Sequence, residues 1–250
     1  MRYTMLLLSV LVLAATSCKK DDNDATCKVN RQVDNNTGVV TTVSYQNDRV
    51  YRLEQSNGTT GQLSYNAAGR VSLYEIFVNN NKVGYAEFEY TSAGQFLERR
   101  TFQANLIGGF DLRTRDVYEY TGDHVTKITN YDLSYSSTSI NSYTTYSYNT
   151  AGNVESESMY GRDGSSTIIL KQTITYQYDD KINVAGDLGP FLSIFSKNNP
   201  TNRNTTVYHP SASNTVETIA YEYNEFGYPT RATTTNGSNV TSYTVEYACD

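Results

Sequence analysis

The stretch YSYNTAGNVE, residues 146–155, decides how this chain folds. Ahead of Asn149, an extended segment puts Thr144, Tyr146 and Tyr148 on one face and Tyr143, Thr145 and Ser147 on the other. Period-two alternation of this kind marks a strand with one buried and one wet face. Asn149-Thr150-Ala151-Gly152 then reads as a type I turn. Asn at its first position offers a side-chain acceptor to the backbone two residues on, and Gly at its fourth takes positive φ without steric cost. Val154 restarts the apolar pattern, so strand, turn and strand make one β-hairpin with a bulge.

The phrase recurs as LSYNAAGRVS at 63–72, FEYTSAGQFL at 88–97 and YEYNEFGYPT at 221–230, with Gly69, Gly94 and Gly227 at the place of Gly152. QTITYQY (172–178) and ETIAYEY (217–223) alternate in the same way. Tyr45, Tyr65, Tyr90, Tyr120, Tyr148, Tyr178, Tyr223 and Tyr247 each close an incoming strand. The connections between phrases vary: VNNNK (78–82), NLIGGFD (105–111), SSTSI (136–140), GRDGSS (161–166) and TNGSN (235–239). Tight turns on one side and variable loops on the other predict an all-β, antiparallel up-and-down meander of roughly fourteen to sixteen strands. A sheet that large must curl strongly or close into a barrel to hide its edges.

The composition agrees. Of 250 residues 23 are Tyr, none is Trp, aromatics reach 12% and charged residues only 18%. A mean hydropathy of −0.54 reflects Ser, Thr, Asn and Gln rather than charge. Disordered chains are poor in aromatic and β-branched residues, and this one is rich in both. A formal charge of −6 without a basic stripe gives no reason to expect a nucleic-acid partner.

The first residues give an address. Arg2 precedes the apolar run Met5–Ala15, too short to span a bilayer, and small residues lead to Cys18. Cys18 after Ala15-Thr16-Ser17 resembles the lipobox of bacterial lipoproteins, with Ala15 where Leu is commoner. The resemblance implies a signal peptide over 1–17, acylation of Cys18 and a polar tether over 18–36 ahead of a single β domain at 37–250. KKDDND at 19–24 resembles the export tag of surface-exposed Bacteroidota lipoproteins. It implies an outer-membrane, lipid-anchored protein facing the cell exterior; the simpler reading is a solvated tether.

The hairpin phrases also resemble the tyrosine-aspartate (YD) repeats of wrapped β-shells. Signal, tether and phrases together, with YQYDDKINVAGDLGPFLSIFSKNNP (176–200), resemble a family of Bacteroidota lipoproteins with a porin-like fold. YTGDHV (120–125) has its glycine misplaced, and YQNDRV (45–50) has none. A membrane-spanning barrel needs an outward apolar belt, and strands such as NVESESMY (153–160) are too polar for one.

Candidate sites are few. DLGPFLSIFSK (187–197) predicts a short helical or apolar insert starting at Pro190. Phe191 and Phe195 there form an apolar set that caps one mouth or, with Asp179 and Asp180, walls a pocket. Asp179, Asp180 and Asn183 fall short of the ordered ligand set calcium requires, so no metal is expected. His124 and His209 have no metal-like spacing, no motif for a nucleophile or a phosphate is present, and no cofactor is expected. With Cys18 acylated, Cys27 and Cys249 are an even pair in an oxidising compartment, and closure of the meander would bring them together as a disulfide; the alternative is two terminal thiols.

These features predict a non-catalytic, surface-anchored lipoprotein that binds an extracellular glycan or protein or serves as an envelope component. The alternative is a hydrolase of extracellular polysaccharide using carboxylates gathered at the barrel mouth.

Overall fold

The computed structural model describes residues 27–133, 140–164, 167–183 and 196–249. Sixteen strands follow one another in the chain. The first four are β1 (Cys27–Asp34), β2 (Val40–Gln46), β3 (Arg49–Gln55) and β4 (Thr59–Tyr65). Next come β5 (Val71–Val78), β6 (Asn81–Tyr90), β7 (Phe96–Ala104) and β8 (Phe110–Thr121). The third quarter holds β9 (His124–Asp132), β10 (Ile140–Tyr148), β11 (Val154–Arg162) and β12 (Ile168–Ile182). The last are β13 (Asn198–Val207), β14 (Ser213–Tyr223), β15 (Pro229–Asn236) and β16 (Asn239–Cys249). Each pairs antiparallel with its sequence neighbours, and β1 pairs with β16, so the sheet closes into a barrel without an edge.

The repeated phrase forms the predicted hairpin. In β10–β11 the Gly152 amide donates to the Asn149 carbonyl at 3.0 Å, Gly152 has φ 83°, and the Asn149 side chain accepts from the amides of Ala151 and Asn153. Gly69, Gly94 and Gly227 repeat the conformation at φ 75°, 91° and 81°. The two departures are two-residue turns of a different type. Asn47 and Asp48 both take positive φ, which a two-residue hairpin turn requires and which Asn and Asp tolerate. Gly122 supplies the positive φ between β8 and β9.

One boundary is corrected. Cys27–Asp34 belongs to the barrel as β1, not to a tether reaching residue 36. Cys27 and Val29 alternate inward at 2% and 1% exposure, but the strand lacks the tyrosine phrase and directly follows a charged run. The variable connection at 105–111 contains another Asn-x-x-Gly turn, at the opposite end of the barrel. The insert expected near 187–197 falls largely on residues 184–195, outside the described residues.

The buried face of each strand is the lumen face. Val29, Val43, Val50, Leu63, Val71, Ala86, Phe88 and Val245 form one apolar cluster along β1–β6 and β16, with Tyr45, Tyr65, Tyr90 and Tyr247 packed against it. The opposite face is the outer wall, and register fixes its content. One row runs Glu246, Arg31, Thr42, Glu54, Thr60 across β16, β1, β2, β3 and β4. A second runs Thr145, Ser158, Thr173, Thr206 across β10–β13. A third sets Glu87 beside Arg100 and Arg115. Arg or Lys at mid-bilayer costs about 2–4 kcal/mol each on a lipid-facing barrel strand, so rows of this kind would be costly in lipid.

Candidate functional site

The two ends of the barrel differ, and tyrosines make one of them. With one exception, each phrase ends its incoming strand with a lumen-facing tyrosine whose hydroxyl reaches back to an earlier strand. Tyr45 donates to the Val29 carbonyl at 2.9 Å, Tyr65 to Val50 at 2.5 Å and Tyr90 to Val71 at 2.7 Å. Tyr148 reaches Val125 at 2.9 Å, Tyr178 reaches Val154 at 2.7 Å and Tyr247 reaches Pro229 at 2.7 Å. Tyr120 bonds the backbone of Phe96. The accepting residues are those that restart the strands, and Val29, Val50, Val71, Val125 and Val154 are no more than 3% exposed. Burial is the main reason that Tyr90, Tyr120 and Tyr148 are each pushed up to about 12.

One member of this ring departs from the pattern. Tyr223 donates to the carboxylate of Asp179, while Tyr221 takes the carbonyl of Pro200 at 3.1 Å. Asp179 also accepts the amides of Lys181 at 3.0 Å and Asn199 at 3.1 Å. That carboxylate closes the ring where the β12–β13 connection is long. Asp180 is not part of it: its side chain is 87% exposed and meets only Lys181, at 3.4 Å. Phe191 and Phe195 lie outside the described residues. Among the described residues no three His, Cys, Asp or Glu side chains gather as a metal site.

Cys27 and Cys249 belong to the tyrosine end. They are register partners across the β1–β16 seam and are joined by a disulfide with Cα atoms 4.0 Å apart. The first and last strands therefore both meet the tyrosine end.

Between the ring and that opposite mouth, the lumen wall of β7–β15 is polar. Arg99 binds Asp116 through two guanidinium nitrogens at 2.9 and 2.6 Å, and Asn130 donates to the other carboxylate oxygen at 2.6 Å. Across β11–β15, Tyr176 donates to Glu157 at 2.6 Å, Arg203 donates to Glu217 at 2.6 Å, and Asn236 donates to Glu217 at 3.1 Å. Burial, reinforced by the bond to Glu157, raises Tyr176 far above the ordinary phenol range. Glu157 and Glu217 are three strand spacings of about 4.8 Å apart, each held by its own partner. The arrangement stiffens a wall; an acid–base pair for glycoside hydrolysis needs two carboxyls about 5–9.5 Å apart with room for the substrate.

At the mouth, Gln32, Asp34, Thr234, Thr241 and Tyr243 line a cavity of about 440 Å³ bounded by β1, β15 and β16. On the other side of the rim, the Asn105 turn holds Leu106 and Ile107 out at 105% and 92% exposure. Behind that turn, on the outer wall, Tyr85 stacks on Phe102 with ring centroids 4.4 Å apart, and Lys82 sits 4.4 Å over Tyr85.

Neither the lumen rows nor the mouth cavity were named from sequence. Their residues sit at ordinary alternating positions, and only register brings Glu157 to Tyr176 or Gln32 to Tyr243's side of the seam. The carboxylate of Asp179 was singled out, but as a pocket or turn residue rather than a partner of Tyr223.

No protein-family model matches the chain. No curated protein matches it. Among solved structures it is similar to a porin-like protein from Bacteroides vulgatus ATCC 8482, at 13% identity and a TM-score of 0.60, over 88% of this chain and 98% of that one. A porin-like protein from Bacteroides uniformis ATCC 8492 is similar at 11% identity and a TM-score of 0.43, over 89% and 98%. The first likeness is one of fold: a closed barrel of porin-like architecture.

Proposed function

We propose that this chain is an outer-membrane lipoprotein of the cell surface, anchored through Cys18, whose barrel stands in water and uses its mouth to engage an extracellular glycan or protein without catalysis. The hydrophilic outer wall carries this reading, because a porin-like barrel that cannot face lipid needs another means of attachment. Cys18 lies nine residues before Cys27, a reach of at most about 30 Å. β1 begins at the tyrosine end, so that end is held toward the membrane and the mouth is turned away from it. Two acyl chains or more give the stable hold that a single chain does not. The polar cavity suits a glycan, and the projecting Leu106–Ile107 tip suits a protein surface.

The test has two arms. Labelled palmitate enters the wild-type chain and not Cys18→Ala, and protease added to intact cells cuts the anchored protein. The biotinylated fragment 19–250, applied to arrayed glycans and to extracellular proteins, captures a ligand. Absence of label from the wild type overturns anchoring. Absence of capture overturns the binding role and leaves an envelope component.

A further inference from the structure

Polar side chains at the mouth of the lumen divide into used and unused. Asn36 is used: it donates to the Val240 carbonyl at 3.1 Å and accepts the Ser242 amide at 2.8 Å. One oxygen of Asp34 accepts the amides of Asn36 and Thr37 at 2.9 and 3.2 Å. Those contacts, Asn36 first, hold its carboxyl below the ordinary value, so it is charged at neutral pH. The side chains of Gln32, Thr234, Thr241 and Tyr243 have no hydrogen-bond partner among the described residues. All four face the lumen: Gln32 and Tyr243 adjoin the core residue Val245, and Thr241 pairs with Thr234. Tyr243 packs against the apolar cluster, and its hydroxyl is not among the buried atoms left without a partner, so it stands open to solvent at the cavity. Thr241 is exposed and the other three are half-buried, so water reaches the wall, and its donors and acceptors stand open to a ligand whose own hydroxyls can replace that water.

We propose that this cavity binds the uncharged, hydroxyl-rich end of a carbohydrate, one or two sugar rings long. Its wall mixes donors and acceptors: an amide, two threonine hydroxyls and a phenol. Hydroxyls on a sugar ring both donate and accept and can satisfy all of them. The Tyr243 ring adds an apolar face for the C–H side of a pyranose. No lysine or arginine lines the cavity, and Asp34 repels anions, so acidic sugars are rejected. A volume of about 440 Å³ lies in the lower half of the roughly 300–1,000 Å³ range of small-ligand pockets, which excludes a long chain lying wholly inside. Burial keeps the Tyr243 hydroxyl protonated well past neutral pH, so it remains a donor.

The inference deepens the reading of the barrel as a displayed binding protein, yet it is tested without the anchor. The fragment 19–250 retains all sixteen strands and the disulfide. Amide chemical shifts are followed by NMR while glucose, maltose, cellobiose, lactose and N-acetylglucosamine are added to millimolar concentration, with glucuronate and glucosamine as charged controls. At least one uncharged sugar shifts the amides of Thr234, Thr241 and Tyr243. Tyr243→Phe and Gln32→Ala each weaken that binding by roughly tenfold while the denaturation midpoint stays within error. Three outcomes overturn the proposal: no shift from any uncharged sugar, shifts from a charged control alone, or binding that survives both substitutions. Loss of palmitate labelling, by contrast, would strike the anchoring reading and leave this site standing.

Discussion

At the scale of single residues, the most consequential contact is the one between Arg99 and Asp116 inside the barrel. The Asp116 side chain is 5% exposed, and its two oxygens are taken by Arg99 and Asn130. Removing one partner of a buried pair costs more than the pair contributes, because the remaining charge is left without water or counter-charge. Arg99→Ala is expected to destabilise the barrel by about 3 kcal/mol in urea denaturation, and adding Asp116→Asn recovers a large part of the loss. None of this is legible from residues 99 and 116 in isolation. Arg99 sits in an ERR run that reads as wet surface, and only the β7–β8 register turns it inward opposite Asp116. Asp179 teaches the same lesson: before a loop it looks like a turn residue, and only the closed ring gives it the Tyr223 hydroxyl to accept.

At the scale of elements, the hairpin is the unit, and here sequence is highly informative. Turn chemistry is local, so Asn149 and Gly152 specify their geometry whatever the rest of the chain does. The two phrases without the usual glycine still keep the tyrosine in register with the residue that restarts the strand, Tyr45 with Val50 and Tyr120 with Val125. What the phrase could not mark was β1, which does not carry it and is defined by its partner β16. A direct check of the turn argument compares two glycines. Gly152→Ala, at φ 83°, is expected to cost about 1 kcal/mol, since an L side chain is strained there. Gly164→Ala, with nothing within 4 Å of an added Cβ and no positive φ, is expected to stay within about 0.5 kcal/mol of wild type. Denaturant midpoints of the two variants decide it.

At the scale of the whole molecule, the tyrosine ring makes stability depend on alkali. A phenol in the unfolded chain titrates near 10, while Tyr90, Tyr120 and Tyr148 are pushed up to about 12 in the barrel. With the folded value raised, the neutral form is the one the barrel favours. Its contribution is complete below about pH 10 and is lost as pH rises through the folded value. Each phenol supplies a fraction of the about 1.4 kcal/mol per pH unit of a fully shielded group, because water reaches part of each ring. The denaturation midpoint is therefore expected to be flat from pH 7 to about 9 and to fall steeply from about 10 to 12. A midpoint that held constant through that window would mean the ring is open to solvent. The seam sets a second dependence. The disulfide closes a loop with a sequence separation of 222 residues, for which the chain-entropy argument gives about 5 kcal/mol. Reduction, or Cys27→Ser with Cys249→Ser, is expected to lower the midpoint accordingly.

The same seam governs how the barrel responds to a pull. In the reduced molecule, force applied at Lys28 and Ala248 would peel β1 from β16 a rung at a time, because the strands are antiparallel and are drawn from the same end; in the oxidised one the neighbouring bridge carries that load. Force applied outside the cysteines never reaches those rungs; it passes from Cys27 to Cys249 through sulfur and bypasses everything between. In an optical trap, the oxidised molecule gripped by its termini should yield no extension from the barrel at all. After reduction it should lengthen by roughly 75 nm, the contour of the residues that the bridge had shielded. A protein tethered in flowing fluid at one end and seized by a large ligand at its mouth is loaded differently, along the strands, where all sixteen share the tension in parallel.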